Sequence, residues 1–320
     1  MKLISDEDLR DLLINPKPTR SGQFIADCPL CGKEQHFYIS RKTQMWDCKK
    51  CHEYGSIYKL LRLLDKTYLL AGSTIEEKER IESIREMTKD IVNNDDTELS
   101  ELPVKKMPVG WKVSDKSTKY LLSRGITPED CKRYNIGATD MFRKYENYVL
   151  IPIYDGGEIK GFLGRYGARK VPEDKLRYNN SIGTEFAELL FGYDEINNNT
   201  STVILVEGVF DKIAVDKVLH LWEDDDVKCV CTFGKKISDK QIKKLMLKGV
   251  TNVILLYDFD AVKEIKKYGL ELEKYFVTSI TYTSTKKDID ECTEDEALEV
   301  FTHLKNPREF NEDVIGKLKK

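Results

Sequence analysis

Residues 202–215 read TVILVEGVFDKIAV. Thr202 to Val206 form a run of strand-favouring residues with no polar alternation, as in a strand covered on both faces. The run stops at Glu207 and Gly208, and the spacing becomes helical. Phe210, Ile213, Ala214, Val218 and Leu221 recur at i, i+3, i+4, i+8 and i+11, with Lys217 interrupting the stripe at i+7. A buried strand that ends on an acid and feeds an amphipathic helix is one unit of a parallel sheet. The unit then repeats. VKCVCTF leads to a helix begun by Ser238 with Gln241 three residues on, a capping box. NVILLY leads to AVKEIKKYGLELEKYF, and VTSITYT to TEDEALEVF. Strands and helices in this alternation predict a parallel sheet with right-handed crossovers.

Open parallel sheets bind ligands beyond the C-terminal ends of their strands, and the acids of this region fall there. Glu207 ends the first strand, with Asp211 one turn into the following helix. Asp258 and Asp260 follow the third strand, and Asp288 and Asp290 the fourth. Like charges held together need cations, and all-oxygen ligands suit Mg²⁺ or Mn²⁺. Two such ions activate an attacking hydroxyl and stabilise a leaving pyrophosphate in phosphoryl transfer. For a single Asp the competing reading is a helix cap or a solvated loop. The order of E-G, D-x-D and K-D-x-D at successive strand ends is far more specific than D-x-D alone.

The chain has 320 residues, enough for two or three domains, with a net charge of only −3. It shows no long apolar run and no apolar signal-peptide core after MKLISDEDLR, so a cytosolic protein away from membranes is expected. The small net charge hides a local excess: residues 101–180 carry 16 Lys or Arg against 10 Asp or Glu. A basic surface beside an acidic one suits an enzyme that handles polyanions through bound cations.

Eight cysteines divide into two sets. Cys28, Cys31, Cys48 and Cys51 are spaced C-x2-C-x16-C-x2-C, two knuckles that place four thiolates on one structural zinc ion. Cys229 and Cys231 would face one side of a strand as core residues, with Val230 on the other. Between the knuckles, HFYISRKTQMWDC reads as a short hairpin. Its aromatics Phe37, Tyr38 and Trp46 either form a small core or, with Lys33, His36, Arg41, Lys42, Lys49 and Lys50, stack on and steer single-stranded nucleic acid. His36 and His52 are expected as surface or packing residues, because four thiolates already close the site.

These segments resemble a known family. ILVEGVFDKIAV, LLYDFDAV and KKDIDE are similar to the three acidic elements of the topoisomerase-primase (Toprim) fold. CPLCGKEQHFYI with WDCKKCHEYGSIYKLL resembles a primase zinc ribbon. YLLSRGITPEDCKRYNIG, VLIPIYDGGEIKGFLGR and LRYNNSIGTEFAELLFG look like consecutive parts of a primase RNA polymerase domain. The likeness, to bacterial-type DNA primases and more narrowly to bacteriophage forms, runs in order from about residue 25 to 295. It implies a multidomain α/β protein: a four-cysteine zinc ribbon (1–65), a charged helical tether (66–105), a basic mixed α+β subdomain (106–200), a Rossmann-like Toprim subdomain (201–296) and a helical tail (297–320). Ribbon and catalytic region are expected to have separate cores.

The resemblance further implies synthesis of short RNA primers on single-stranded DNA from ribonucleoside triphosphates, in the cytoplasm, a host's if the chain is from a bacteriophage. Glu207, Asp258 and Asp260 would be catalytic, and Asp288 and Asp290 would join them on Mg²⁺ or Mn²⁺. Arg165, Lys175, Arg177, Tyr178, Asn180 and Asp211 would hold nucleotide or template, beside Arg169 and Asn179. The sequence departs from the family at Phe259 and Val262, where glycines are usual. About 30 residues follow KKDIDE and no G-x4-G-K-[ST] loop occurs, so separate helicase and DNA polymerase partners are expected. The competing readings are a nuclease built on the same acidic site and a non-catalytic DNA-binding scaffold.

Overall fold

The computed structural model describes residues 4–42, 44–55, 57–64, 81–84, 86–88, 99, 101–113, 119–258, 261–283, 287–301, 304–308 and 310. The N-terminal module opens with helix α1 (Asp6–Leu12), whose first turn is capped by the Ser5 side chain. Five antiparallel strands follow in sequence order: β1 (Ile14–Pro18), β2 (Gln23–Asp27), β3 (Phe37–Ser40), β4 (Trp46–Cys48) and β5 (Tyr54–Gly55). Helix α2 (Ile57–Leu63) closes the module. Strand period two sorts its residues. Phe24, Ala26, Phe37, Ile39, Trp46 and Cys48 turn inward and are buried, while Gln23, Ile25, Tyr38, Ser40 and Asp47 alternate with them on the open face.

The basic middle region is a second antiparallel sheet, β6 (Lys112–Val113), β7 (Gly137–Ala138), β8 (Tyr148–Asp155) and β9 (Glu158–Tyr166), in that order. Its β8–β9 turn uses Gly156 and Gly157, both at positive φ, as a two-residue hairpin requires. Helices α3 (Lys119–Ser123) and α4 (Pro128–Arg133) precede β7, and Thr127 and Asp130 form a capping box on α4.

The C-terminal region is the expected parallel sheet. Strands β10 (Thr202–Val206), β11 (Val227–Cys231), β12 (Asn252–Leu256) and β13 (Val277–Thr281) lie in the order β11-β10-β12-β13, all pairs parallel. They alternate with helices α5 (Val209–Leu219), α6 (Asp239–Leu247), α7 (Val262–Leu272) and α8 (Glu294–Val300). The Ser238 and Gln241 capping box forms at α6. Cys229 and Cys231 face one apolar cluster and Val230 the other, as strand alternation dictates.

Four sequence expectations change. The stripe read on α5 is not its boundary: Val209, Phe210, Asp211, Lys212, Ile213, Val215, Asp216 and Leu219 are buried, whereas Ala214 and Val218 are only partly so. The sheet covers one side of this helix and the middle region the other. Most of the tether at 66–105 lies outside the described residues, but its end is docked: Lys105 donates its backbone N–H to Ile159 on β9. The boundary at 296 falls inside α8, and the following segment packs back, with Phe301 and Phe310 buried and Lys305 bridging Ile280. The ribbon and the parallel-sheet region also do not have the separate cores expected. One apolar cluster runs from Leu9, Phe24 and Leu60 through Leu121 and Ile136 to Phe210 and Leu219. Among the described residues, no helix is long and apolar enough to cross a membrane.

Candidate active site and metal centre

The four ribbon thiols converge. Cys28, Cys31, Cys48 and Cys51 place their sulfurs within 4.8 Å of one another, with Cys28–Cys51 at 3.9 Å and Cys31–Cys48 at 3.8 Å. A tetrahedron with Zn–S bonds of about 2.3 Å has edges of about 3.8 Å, so the donor set fits zinc. Burial pushes the Cys28 thiol up to about 12. At Cys48 burial acts in the same direction, but the backbone N–H groups of Cys51 and Lys50 together with the Cys51 and Cys28 thiols outweigh it and bring the thiol to about 7. A cation would be needed to hold all four as thiolates.

The acidic edge is assembled from strand ends remote in sequence. Neighbouring strands β10 and β12 bring Glu207 and Asp258 side by side, and the Asp258 backbone N–H donates to Glu207 Oε1 at 3.2 Å. Asp211 reaches back to accept from the Gly208 N–H at 2.9 Å, half of a helix capping box. A Cβ at Gly208 would lie 2.5 Å from that carboxylate oxygen, so a side chain after Glu207 would displace Asp211 from this contact. Burial pushes Asp211 far above the ordinary carboxylate range, and Asp290, Asp258 and Asp288 push it further. Burial likewise raises Asp290 to about 6; Arg124 opposes the rise, and Asp288, Glu291 and Asp258 add to it.

Asp290 is the least expected member of the set. Its side chain is fully buried and pairs with Arg124 Nε at 2.5 Å, yet neither carboxylate oxygen is oriented to accept a hydrogen bond. Two buried oxygens that accept no well-oriented hydrogen bond, beside three further acids, fit a divalent cation. Asp260 and Phe259 lie outside the described residues, and Val262 begins α7.

Arg124 escaped the sequence reading. It stands after α3 in the "SRG" turn, with its guanidinium over the Phe210 ring at 5.6 Å and within 3.4 Å of Glu291. Burial works against its charge, but Asp290, Tyr120, Asp211 and Glu291 outweigh burial and raise its pKa. Only the Gly125 that follows gave a local signal, a helix stop. Arg169 adds a second, exposed guanidinium 3.7 Å from Glu291.

The expected basic strip continues from Arg124, but its members differ in kind. Arg165 is not a surface charge: it is buried, with its guanidinium 5.1 Å from the Tyr120 ring and 5.2 Å from the Tyr178 ring. Its Nη1 donates to the carbonyls of Tyr166 and Arg177. Arg177–Ser181 pairs along β9, and Asn180 Oδ1 accepts from the Gly164 N–H at 3.1 Å. A Cβ at Gly164 would lie 2.1 Å from the Asn179 carbonyl, which explains that glycine. Lys175, Arg177 and Tyr178 are exposed together on this edge.

On the ribbon, Trp46 is a correction. It is 3% exposed and stacks on Phe37 at 5.2 Å, so it belongs to the ribbon core. Arg41 is engaged by Asp6 and lies over the Phe24 ring. Lys33 is exposed, His36 contacts the Glu34 carbonyl at 2.7 Å, and Tyr38 stands on the open face under Lys49 at 5.8 Å. The open face also holds a cavity of about 470 Å³ lined by Gln23, Ser40, Met45, Trp46, Asp47, Cys48, Lys49, His52 and Tyr54. Strand alternation could have separated Tyr38 from Trp46, since they fall on opposite faces. Tyr54 also reaches the parallel-sheet region, donating to Glu223 Oε1 at 2.6 Å.

No family model matches the chain. Among characterised proteins it is similar to DNA primases. It is 24% identical over 336 residues to that of Clostridium acetobutylicum, covering 90% of this chain and 55% of the relative. It is 22% identical over 353 residues to that of Enterococcus faecalis, covering 90% and 54%. The chain thus spans about half the length of these relatives. Among solved structures it is similar to the zinc-binding and RNA polymerase domains of the Aquifex aeolicus primase, at 20% identity and a TM-score of 0.43, covering 96% of this chain and 82% of that one. The similarity of this chain is to bacterial-type DNA primases.

Proposed function

We propose that the chain is a DNA primase that joins ribonucleoside triphosphates into short RNA primers on single-stranded DNA. The observation that carries the reading is the buried Asp290 carboxylate, ion-paired with Arg124 but accepting no well-oriented hydrogen bond, at an edge shared with Glu207, Asp211, Asp258 and Asp288. Glu207, Asp258, Asp260, Asp288 and Asp290 would hold Mg²⁺ or Mn²⁺. When bound, these ions supply charge neutralisation for attack of a 3′-hydroxyl on an α-phosphate and for departure of pyrophosphate. The Asp258 N–H fixes the Glu207 carboxylate toward that edge.

Arg124, Arg169, Lys175 and Arg177 meet phosphates beside the acids, Tyr178 offers an exposed ring for a base, and Asn180 shapes the strand that carries them. Arg165 acts as a strut between Tyr120 and Tyr178. The zinc ribbon presents Lys33, His36, Tyr38 and the open-face cavity to the template. The protein works in the cytoplasm, a host's if the chain belongs to a bacteriophage, with a separate replicative helicase and DNA polymerase.

The test is incubation of the purified chain with single-stranded DNA of mixed sequence, four ribonucleoside triphosphates with one labelled, and Mg²⁺. Short labelled RNA is expected from the wild type and not from Asp258→Ala. Absence of RNA from the wild type, or equal RNA from the variant, overturns the reading; cleavage of the DNA would replace it with a nuclease.

A further inference from the structure

Lys212 follows Asp211 on α5, and its side chain is fully buried. Lysine is almost never fully buried unless paired, and here the surrounding chain is shaped to admit it. Gly192 has φ +94°, and a Cβ there would lie 2.8 Å from Lys212 Cε and 2.9 Å from the Cys229 carbonyl oxygen. The ammonium donates to Glu195 Oε1 at 2.7 Å, to Glu195 Oε2 at 2.6 Å and to Asp216 Oδ2, which uses all three of its hydrogens. It lies 4.8 Å from the Tyr134 ring centre and 5.8 Å from that of Phe191. The Tyr134 hydroxyl donates to the same Asp216 oxygen at 2.6 Å.

Three chain segments meet at this one ammonium. Tyr134 closes α4 of the basic middle region, Phe191 and Glu195 belong to the connection into β10, and Lys212 and Asp216 lie on α5. Farther along α5, Lys217 donates to the Gly125 carbonyl at 2.7 Å and to Asp130 at 2.9 Å. Gly125 follows Arg124, the residue that meets Asp290. Thus α5 carries Asp211 at its start and is tied by two lysines to the region that supplies Arg124. Apolar contact could hold these surfaces together, but it would not select one register. Directed hydrogen bonds around a buried charge do, and selecting an arrangement is the best-attested use of buried ionic groups.

We propose that Lys212 is a positioning residue: with Glu195, Asp216 and Tyr134 it locks α5 against the middle region in one register and so sets Arg124 against the acidic edge. This rests on the primase reading for its kinetic readout. Lys212→Met alone leaves Asp216 buried beside no cation, and that variant can fail to fold. The informative variant is Lys212→Met/Asp216→Leu/Tyr134→Phe, in which every buried partner becomes apolar and the partly exposed Glu195 turns to water.

Apolar replacement of a buried ionic group is often neutral for stability, so this variant should melt within about 5 °C of the wild type. Its rate of RNA synthesis should fall about tenfold or more, with a higher Mg²⁺ requirement and an unchanged Kd for single-stranded DNA. A folded variant with wild-type rate and Mg²⁺ requirement overturns the proposal. Should the triple variant not fold, Glu195→Gln, which keeps the Lys212–Asp216 pair, should show a smaller shift in the same direction; no shift overturns it. If the wild type itself makes no RNA, the primase reading has failed and the clamp is read by hydrogen exchange. Faster exchange at residues 125–135 in the folded variant supports it, and unchanged exchange overturns it.

Discussion

The ribbon cysteines and the carboxylates of the parallel sheet are two candidate metal-ligand sets built in opposite ways. The cysteines come from two short knuckles, and their sulfurs stand 3.8–3.9 Å apart across the site. The acids come from three strand ends and a helix, spread over residues 207–290. Each thiol pair is delivered by one local turn, so spacing alone defines half the site. Each acid is delivered by a different strand, so no spacing defines the edge, and its members repel until a cation arrives. Arg124 partly offsets that repulsion from outside the parallel sheet altogether.

The comparison breaks most sharply in activity. Under the primase reading, Glu207→Gln should reduce primer synthesis to background and leave the Kd for single-stranded DNA unchanged, because the acid would hold a cation while the neighbouring basic side chains would meet the DNA phosphates. Synthesis at the wild-type rate would remove Glu207 from the site.

Zinc removal tests whether the local site is also energetically local. In zinc-finger peptides metal binding contributes about 10–16 kcal/mol to folding, so chelation should melt the ribbon. Because one apolar cluster joins the ribbon to the middle and parallel-sheet regions, the melting temperature of the remaining protein should fall as well. Calorimetry showing an unchanged second transition after chelation would restore the idea of independent cores.

A subtler contrast concerns Arg124. Arg124→Ala leaves Asp290 buried with no protein cation, which should cost about 3–5 kcal/mol in metal-free urea unfolding. Mg²⁺ binds the folded state and should recover part of that loss. Equal losses with and without Mg²⁺ would mean that Asp290 takes no part in cation binding.

The smallest effect is a pH dependence away from both metal sets. Burial raises Asp216 from 3.8 to about 6 against the pull of Lys212. A carboxylate whose folded pKa is raised keeps in the folded state a proton that the unfolded chain releases, so its contribution to stability falls as pH rises from about 4 to about 6. Asp216→Asn should flatten that part of the profile in thermal melts compared over the same window. Parallel profiles for variant and wild type would contradict the assignment.

Much of this molecule was legible residue by residue. Continuous apolar runs announced β10 and β12, the Ser238 capping box announced α6, and four cysteines announced the ribbon, because each signal is local. Other features needed partners. Trp46 reads equally well as core or as stacking surface until strand register turns it inward. Arg165 reads as a nucleotide or template contact until Tyr120 and Tyr178 close over it. On α5, Lys212 and Asp216 look like solvated polar positions on an amphipathic helix, and only the middle region packed against that face makes them a buried ion cluster.

The sequence by itself determined the parallel sheet, the zinc ligands and the acids at strand ends, since periodicity and spacing act over a few residues. Tertiary structure alone decided which acids are buried, which arginine answers them and which lysine ties the two halves together. Burial and pairing belong to surfaces that meet from distant parts of the chain, and no local pattern encodes what will lie opposite.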